Sequence, residues 1–188
     1  MRRFTGALLM VVVVPTAACA PSVPPTSEST SSAQPAVHTT TGIPVPERVA
    51  IQAIGLDEPL VELGLLTDGQ MEVPSDYDDV GWFAGGGRPG GHGPSVLAGH
   101  VDSTTGPAVF DGLRRLSWGD VVAITSAAGE EAHYRVTSTG EFSKDDFPTV
   151  DVFGATAADT VRLITCSGDF DAAVGSYDRN YVVFGERI

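Results

Sequence analysis

The sequence predicts a mainly β domain, a closed or partly closed barrel of seven or eight short strands with one or two short helices. Three observations carry this. Short apolar runs recur along residues 46–188, each bounded by glycine, proline or aspartate. Glycine is abundant, 22 of 188 residues, as a fold with many tight turns requires. Stretches with the 3.6-residue apolar period of a packed helix are scarce. Strands with few helices to cover them bury their apolar faces by closing on one another.

The elements follow in order. Arg48–Ile54 reads as the first strand, closed by Gly55. Leu60–Leu63 and Met71–Pro74 are short strand candidates on either side of the turn Asp68-Gly69. Ser95–Val101 is a further strand, and Phe110–Leu116 is the best short helix. Asp120–Ser126 and Ala132–Ser138 form a hairpin across Ala128-Gly129. A long loop, Glu141–Asp159, leads to an apolar strand over 160–166, and Asn180–Arg187 supplies the last strand. There are no internal repeats.

Two segments precede this domain. Residues 1–20 have the layout of an export leader: Arg2 and Arg3, an apolar run Phe4–Val14, then small residues. The run is short of the ~20 residues of a comfortable membrane span. Ala18-Cys19-Ala20 fits a cleavage site, while Thr16-Ala17-Ala18-Cys19 resembles a lipoprotein box in which Cys19 would carry the lipid; an uncleaved anchor is the third option. All three place the domain outside the cytoplasmic membrane. Residues 21–45 are dominated by proline, serine and threonine, cannot bury a core, and read as a tether. The formal net charge of −13 repels phosphate backbones and excludes a nucleic-acid partner.

The residue with the most chemistry is Cys166. It ends the run Val161-Arg162-Leu163-Ile164-Thr165-Cys166 and is followed by Ser167-Gly168-Asp169, so a buried strand delivers a thiol to a loop edge. The other cysteine, Cys19, lies in the leader, leaving the exported domain one unpaired thiol. Such a thiol is either buried and inert or a nucleophile with a base or cation beside it. Among the four histidines, His38 is in the tether, His92 in a glycine loop and His133 within a strand pattern. His100 ends the apolar strand Val96-Leu97-Ala98-Gly99, held on a rigid element yet open to a cleft. Arg179, in Ser176-Tyr177-Asp178-Arg179-Asn180, has the donor fork to hold an oxyanion or a carbonyl.

Leu163-x-Thr165-Cys166, with Ala98-Gly99-His100 upstream and Arg179 downstream, resembles the sortases, cysteine transpeptidases of the Gram-positive cell wall. The likeness runs from about Pro46 to Ile188. Gly81-Trp82-Phe83 and Leu97–Ser103 are most similar to the actinobacterial class E and class F members, class F above all. The family's TLxTC pattern is departed from at Arg162, an outward strand position. The resemblance implies a closed eight-stranded barrel with no cofactor and no metal. It implies that Cys166 attacks the threonine carbonyl of an LPxTG-like or LAxTG-like sorting signal and forms a thioacyl enzyme. His100 would be the general acid and base, and Arg179 the stabiliser of oxyanion or peptide. Thr165, Ala98 and Gly99 would shape the site. The acyl group would pass to a cell-wall amine. Phe147 and Val150, in the loop expected to line the peptide groove, would either receive an apolar side chain or staple the loop to the barrel. Some class A members bind calcium near this loop, where Asp145, Asp146 and Asp151 stand without compelling ligand spacing.

Two patterns carry no function. Gly85–Gly90 matches GxGxxG, but Gly91, Gly93 and Pro94 follow, so no helix opens from it to meet a phosphate. Asp169-Phe170-Asp171 lacks the remaining positions of a calcium loop. Two other readings compete with the sortase. An L,D-transpeptidase would have a Ser/His-Gly-Cys arrangement at the nucleophile, absent from Ile164-Thr165-Cys166-Ser167. A non-catalytic β-barrel lipoprotein binding wall polymer or peptide predicts an inert, buried Cys166.

Overall fold

The computed structural model describes residues 42–188. The expected leader, with Cys19, and most of the expected tether fall outside the described residues. Eight strands close into a barrel. β1 (Pro46–Ile51) and β2 (Leu56–Leu63) are joined by a 3-10 turn, Gln52–Ile54, that ends at Gly55. β3 (Val80–Phe83) lies parallel to β2. β4 (Gly93–Ala98) is antiparallel to β3. A small ribbon, β5 (Asp102–Ser103) and β6 (Gly106–Pro107), stands apart from the barrel sheet. β7 (Val121–Ser126) and β8 (Glu131–Ser143) form the expected hairpin. A short helix α1 (Thr149–Phe153) precedes β9 (Asp159–Asp171) and β10 (Ser176–Arg187). The order around the barrel is β1-β2-β3-β4-β9-β10-β8-β7, and β7 pairs with β1 to close it.

The interior follows from alternation. Val49, Ile51, Leu97, Ile124, Tyr134, Leu163 and Val183 point inward and are fully buried, with Phe110 and Leu113 from the 110–116 segment plugging the core. Each aliphatic side chain so buried contributes roughly 1.5–3 kcal/mol. A second, smaller cluster lies on the outer face, where Val96, Ile164 and Val182 are covered by Val152 of α1 and by Phe142, Phe147, Phe153 and Phe184. β4 is therefore buried on both faces, which is why it reads as a continuous apolar run rather than an alternating one.

Several expectations are corrected. The first strand stops at Ile51, because Gly55 (φ +71) closes a 3-10 turn there through its N–H to Gln52 O. Met71–Pro74 is not a strand; a single bridge, Leu65 to Met71, closes over Asp68-Gly69. The helix over 110–116 is 3-10, Asp111–Arg115. The Glu141–Asp159 loop is shorter than expected, since β8 runs to Ser143 and the rest holds a 3-10 turn (Lys144–Asp146) and α1. Cys166 does not end its strand, and Arg179 does not lie in a loop: β9 and β10 continue past both as one long hairpin, with Arg179 opposite Ser167. Gly168 at φ +84 and the register shift between Tyr177 and Arg179 absorb the irregularity that reads as a turn in the sequence. Arg162 does point outward, but onto Phe184, its guanidinium 4.8 Å from the ring centroid; burial there holds its pKa below the ordinary arginine value.

Candidate active site

Strand register brings the site together. β4 and β9 run parallel without a shift from Gly93 opposite Asp159 to Ala98 opposite Ile164. The pairing persists one residue further, with Gly99 N–H donating to Ile164 O at 3.2 Å and Thr165 Oγ1 donating to Gly99 O at 2.8 Å. His100 and Cys166 are the next residues along these two segments. Strand partners share a face and successive residues alternate. Cys166 therefore shares the outer face of Arg162 and Ile164, beside the aromatic cluster, while Thr165 and Ser167 point the other way and are buried. Cys166 is a free thiol, neither fully buried nor fully exposed.

His100 is gripped from two sides. Its carbonyl accepts from Phe110 N–H at 2.8 Å. Its ring meets Tyr77, centroids 4.8 Å apart, and its Nε2 lies 2.8 Å from Pro74 O. A carbonyl only accepts, so Nε2 carries a proton in this arrangement and Nδ1 is the nitrogen left to gain or lose one. Pro74 and Tyr77 belong to the excursion between β2 and β3, remote in sequence from the histidine they orient. Nothing in the local sequence pattern marks them.

Arg179 takes a different direction. Its partner Ser167 is one residue beyond the thiol, on the alternate face. Its Nε lies 3.8 Å from Asp178 Oδ2. Glu141 is part of the same neighbourhood: the buried Ser167 hydroxyl beside it, then Arg114 at 2.5 Å and the charge of Arg179 hold its carboxyl below the ordinary range. Among the described residues no hydrogen bond joins the Cys166 sulfur to His100 or Arg179. Its polar neighbour is Lys144, Nζ to Sγ 3.9 Å. Tyr177 stands close enough for the Cys166 charge to act on it; its pKa is raised first by its hydrogen bond to Asp102, then by burial, the Asp102 charge and Cys166.

The remaining candidates separate. Ala98 is buried, and Gly99 spends its carbonyl on Thr165; a Cβ on Gly99 would come within 2.8 Å of Val109 and 2.9 Å of Phe110. These two residues build the floor that carries His100. Phe147 packs edge-on against Phe142 and tilted against Phe153, with centroids 6.3 Å away in both pairs. Val150 is 81% exposed. His92 is pinned rather than loose, its Nδ1 2.8 Å from Ala157 O, and His133 is a half-exposed strand residue beside Glu131. Among the described residues no group of three or more His, Cys, Asp or Glu side chains converges as a metal site, and no helix is long and apolar enough to cross a membrane.

Gly168 carries the first prediction. A Cβ there would overlap Asp178 Oδ1 and come within 2.9 Å of Arg179 Cγ, at a φ of +84 that side chains resist. Gly168→Ala is expected to lower stability by about 1–2 kcal/mol, read as a lower urea midpoint. It should also displace the Arg179 stem and reduce turnover beyond what the stability loss explains.

A Sortase domain family model matches residues 49–188. Among solved structures, sortase C-1 from Actinomyces oris is similar at 26% identity and a TM-score of 0.59, over 81% of this chain and 78% of that one. Sortase C1 from Streptococcus agalactiae is similar at 21% identity and a TM-score of 0.59, over 76% of this chain and 66% of that one, just under two thirds of its length. A lid mutant of sortase A from Corynebacterium diphtheriae is similar at 23% identity and a TM-score of 0.57, over 77% and 70%. No curated protein matches the chain.

Proposed function

The chain belongs to the sortase family, and on that premise we propose that it is an extracytoplasmic cysteine transpeptidase acting on LPxTG-like sorting signals. The observation that supports this reading is the parallel β4–β9 register, held as far as Gly99 and Thr165, the residues that immediately precede His100 and Cys166. The Cys166 thiolate attacks the threonine carbonyl. His100 protonates the departing glycine amine as the C–N bond breaks, leaving a thioacyl enzyme. An incoming cell-wall amine then gives its proton to His100 and displaces the sulfur. Arg179 stabilises the oxyanion, for which its guanidinium must turn from Asp178 toward the Cys166 face. Val150 contacts the apolar part of the signal. The leader over 1–20 and the tether over 21–45 hold the 46–188 domain at the outer membrane face, by Cys19 lipidation or by the leader itself. Gly81-Trp82-Phe83 and Leu97–Ser103 support a class E or F assignment, most closely class F.

The non-catalytic barrel reading requires a buried, inert thiol, and the partial exposure of Cys166 does not favour it. The test is incubation of the purified protein with quenched LPxTG and LAxTG peptides and an amine acceptor. Cleavage between threonine and glycine, with acyl transfer to the amine, is the expected result. A folded protein that cleaves neither peptide overturns the reading.

A further inference from the structure

Of the eleven basic residues in the chain, ten are arginines and one is a lysine, Lys144. That single ammonium sits 3.9 Å from the Cys166 sulfur. It is also held by Ser176, Nζ to Oγ 2.8 Å. Ser176 directs its own proton to Tyr177 O at 3.3 Å, so a lone pair of its oxygen faces the lysine. Lys144 opens the 3-10 turn after β8, and Ser176 begins β10. The contact therefore ties the turn after β8 to the start of β10, the neighbour of the strand that bears the thiol, and places a positive charge beside the sulfur.

The other groups around Cys166 do not fill that role in this arrangement. His100, from the segment after β4, is bonded through Nε2 to Pro74 O. Arg179, from β10, lies by Asp178 and Glu141. Tyr177, also from β10, gives its hydroxyl proton to Asp102. An ammonium beside sulfur favours the thiolate over the thiol, and an exposed one does so in a salt-dependent way. We infer that Lys144 is a further catalytic residue of this site: its ammonium, fixed by Ser176, stabilises the Cys166 thiolate before peptide binds. The inference rests on the reading of Cys166 as the nucleophile, but its test does not need a peptide.

The rate of Cys166 alkylation by iodoacetamide, followed in the full chain from about pH 5 to about pH 9, reports the thiolate directly. Lys144→Met is expected to move the midpoint of that profile up by about one pH unit at low salt, a loss of about tenfold in rate below the midpoint. Lys144→Arg should keep the wild-type midpoint within a few tenths of a unit. Ser176→Ala should fall between. The difference between wild type and Lys144→Met should shrink as salt is added. A midpoint and a salt dependence unchanged in Lys144→Met, with an unaltered thermal melt, would overturn the proposal. So would an equal shift in Lys144→Met and Lys144→Arg, since that would mean packing rather than charge. If the profile moves as expected while no peptide is cleaved, the lysine's role stands and the transpeptidase reading fails. If peptides are cleaved and the profile does not move, the reverse holds.

Discussion

Cys166→Ala is expected to abolish both peptide cleavage and acyl transfer, a loss on the order of a millionfold, because no other group in the site can form the thioacyl bond. The fold should survive the change. The residue is only partly buried, and its neighbours Thr165 and Ser167, which face the other way, keep their places. A stability change of about 1 kcal/mol or less is expected from removing one sulfur at such a position. The two quantities are measured separately, turnover by mass spectrometry of the acylated amine and stability by urea titration. Residual transfer above background in the folded variant would mean that the nucleophile lies elsewhere.

His100→Ala carries the second largest effect, a fall of about 10²- to 10⁴-fold in turnover, the span typical of a lost general acid and base. The difficulty is to separate proton transfer from architecture, since the ring also packs on Tyr77 and bonds Pro74 O. His100→Gln resolves it. A glutamine amide can still donate to the Pro74 carbonyl but cannot carry a proton to a leaving amine. Both variants should lose activity alike. Recovery of activity in His100→Gln would reduce His100 to a structural post.

The barrel was legible in the sequence wherever a strand buries one face, because alternation then marks it; β1 and the β7–β8 hairpin are such cases. It was less legible where neighbours impose the structure. β3 is four residues long, Val80-Gly81-Trp82-Phe83, too short for any period to emerge. The continuation of β9 past Cys166 was hidden by Ser167-Gly168-Asp169, which has turn composition but is paired to β10 through a bulge. Within the site, Cys166 and His100 stood out because each ends an apolar run. The pairing of the two segments that carry them did not, since it depends on a parallel register across 66 residues, as the Thr165 to Gly99 hydrogen bond records. The grip of Pro74 and Tyr77 on His100 and the seat of Lys144 against the sulfur are likewise tertiary. No local pattern encodes a carbonyl that meets a ring 26 positions away.

The scarcity of lysine has a consequence for a catalyst that joins acyl groups to amines. Copies of the chain that met one another would each present competing nucleophiles if their side chains bore many free ε-amines. This chain has arginine in every other basic position, and a guanidinium does not accept the acyl group in an amine's place. Its one ε-amine is engaged at the site itself, where, while it stays protonated, it has no lone pair to offer. If the proposed acyl transfer holds, one copy therefore offers another a single side-chain amine to compete with the acceptor, and that amine is Lys144.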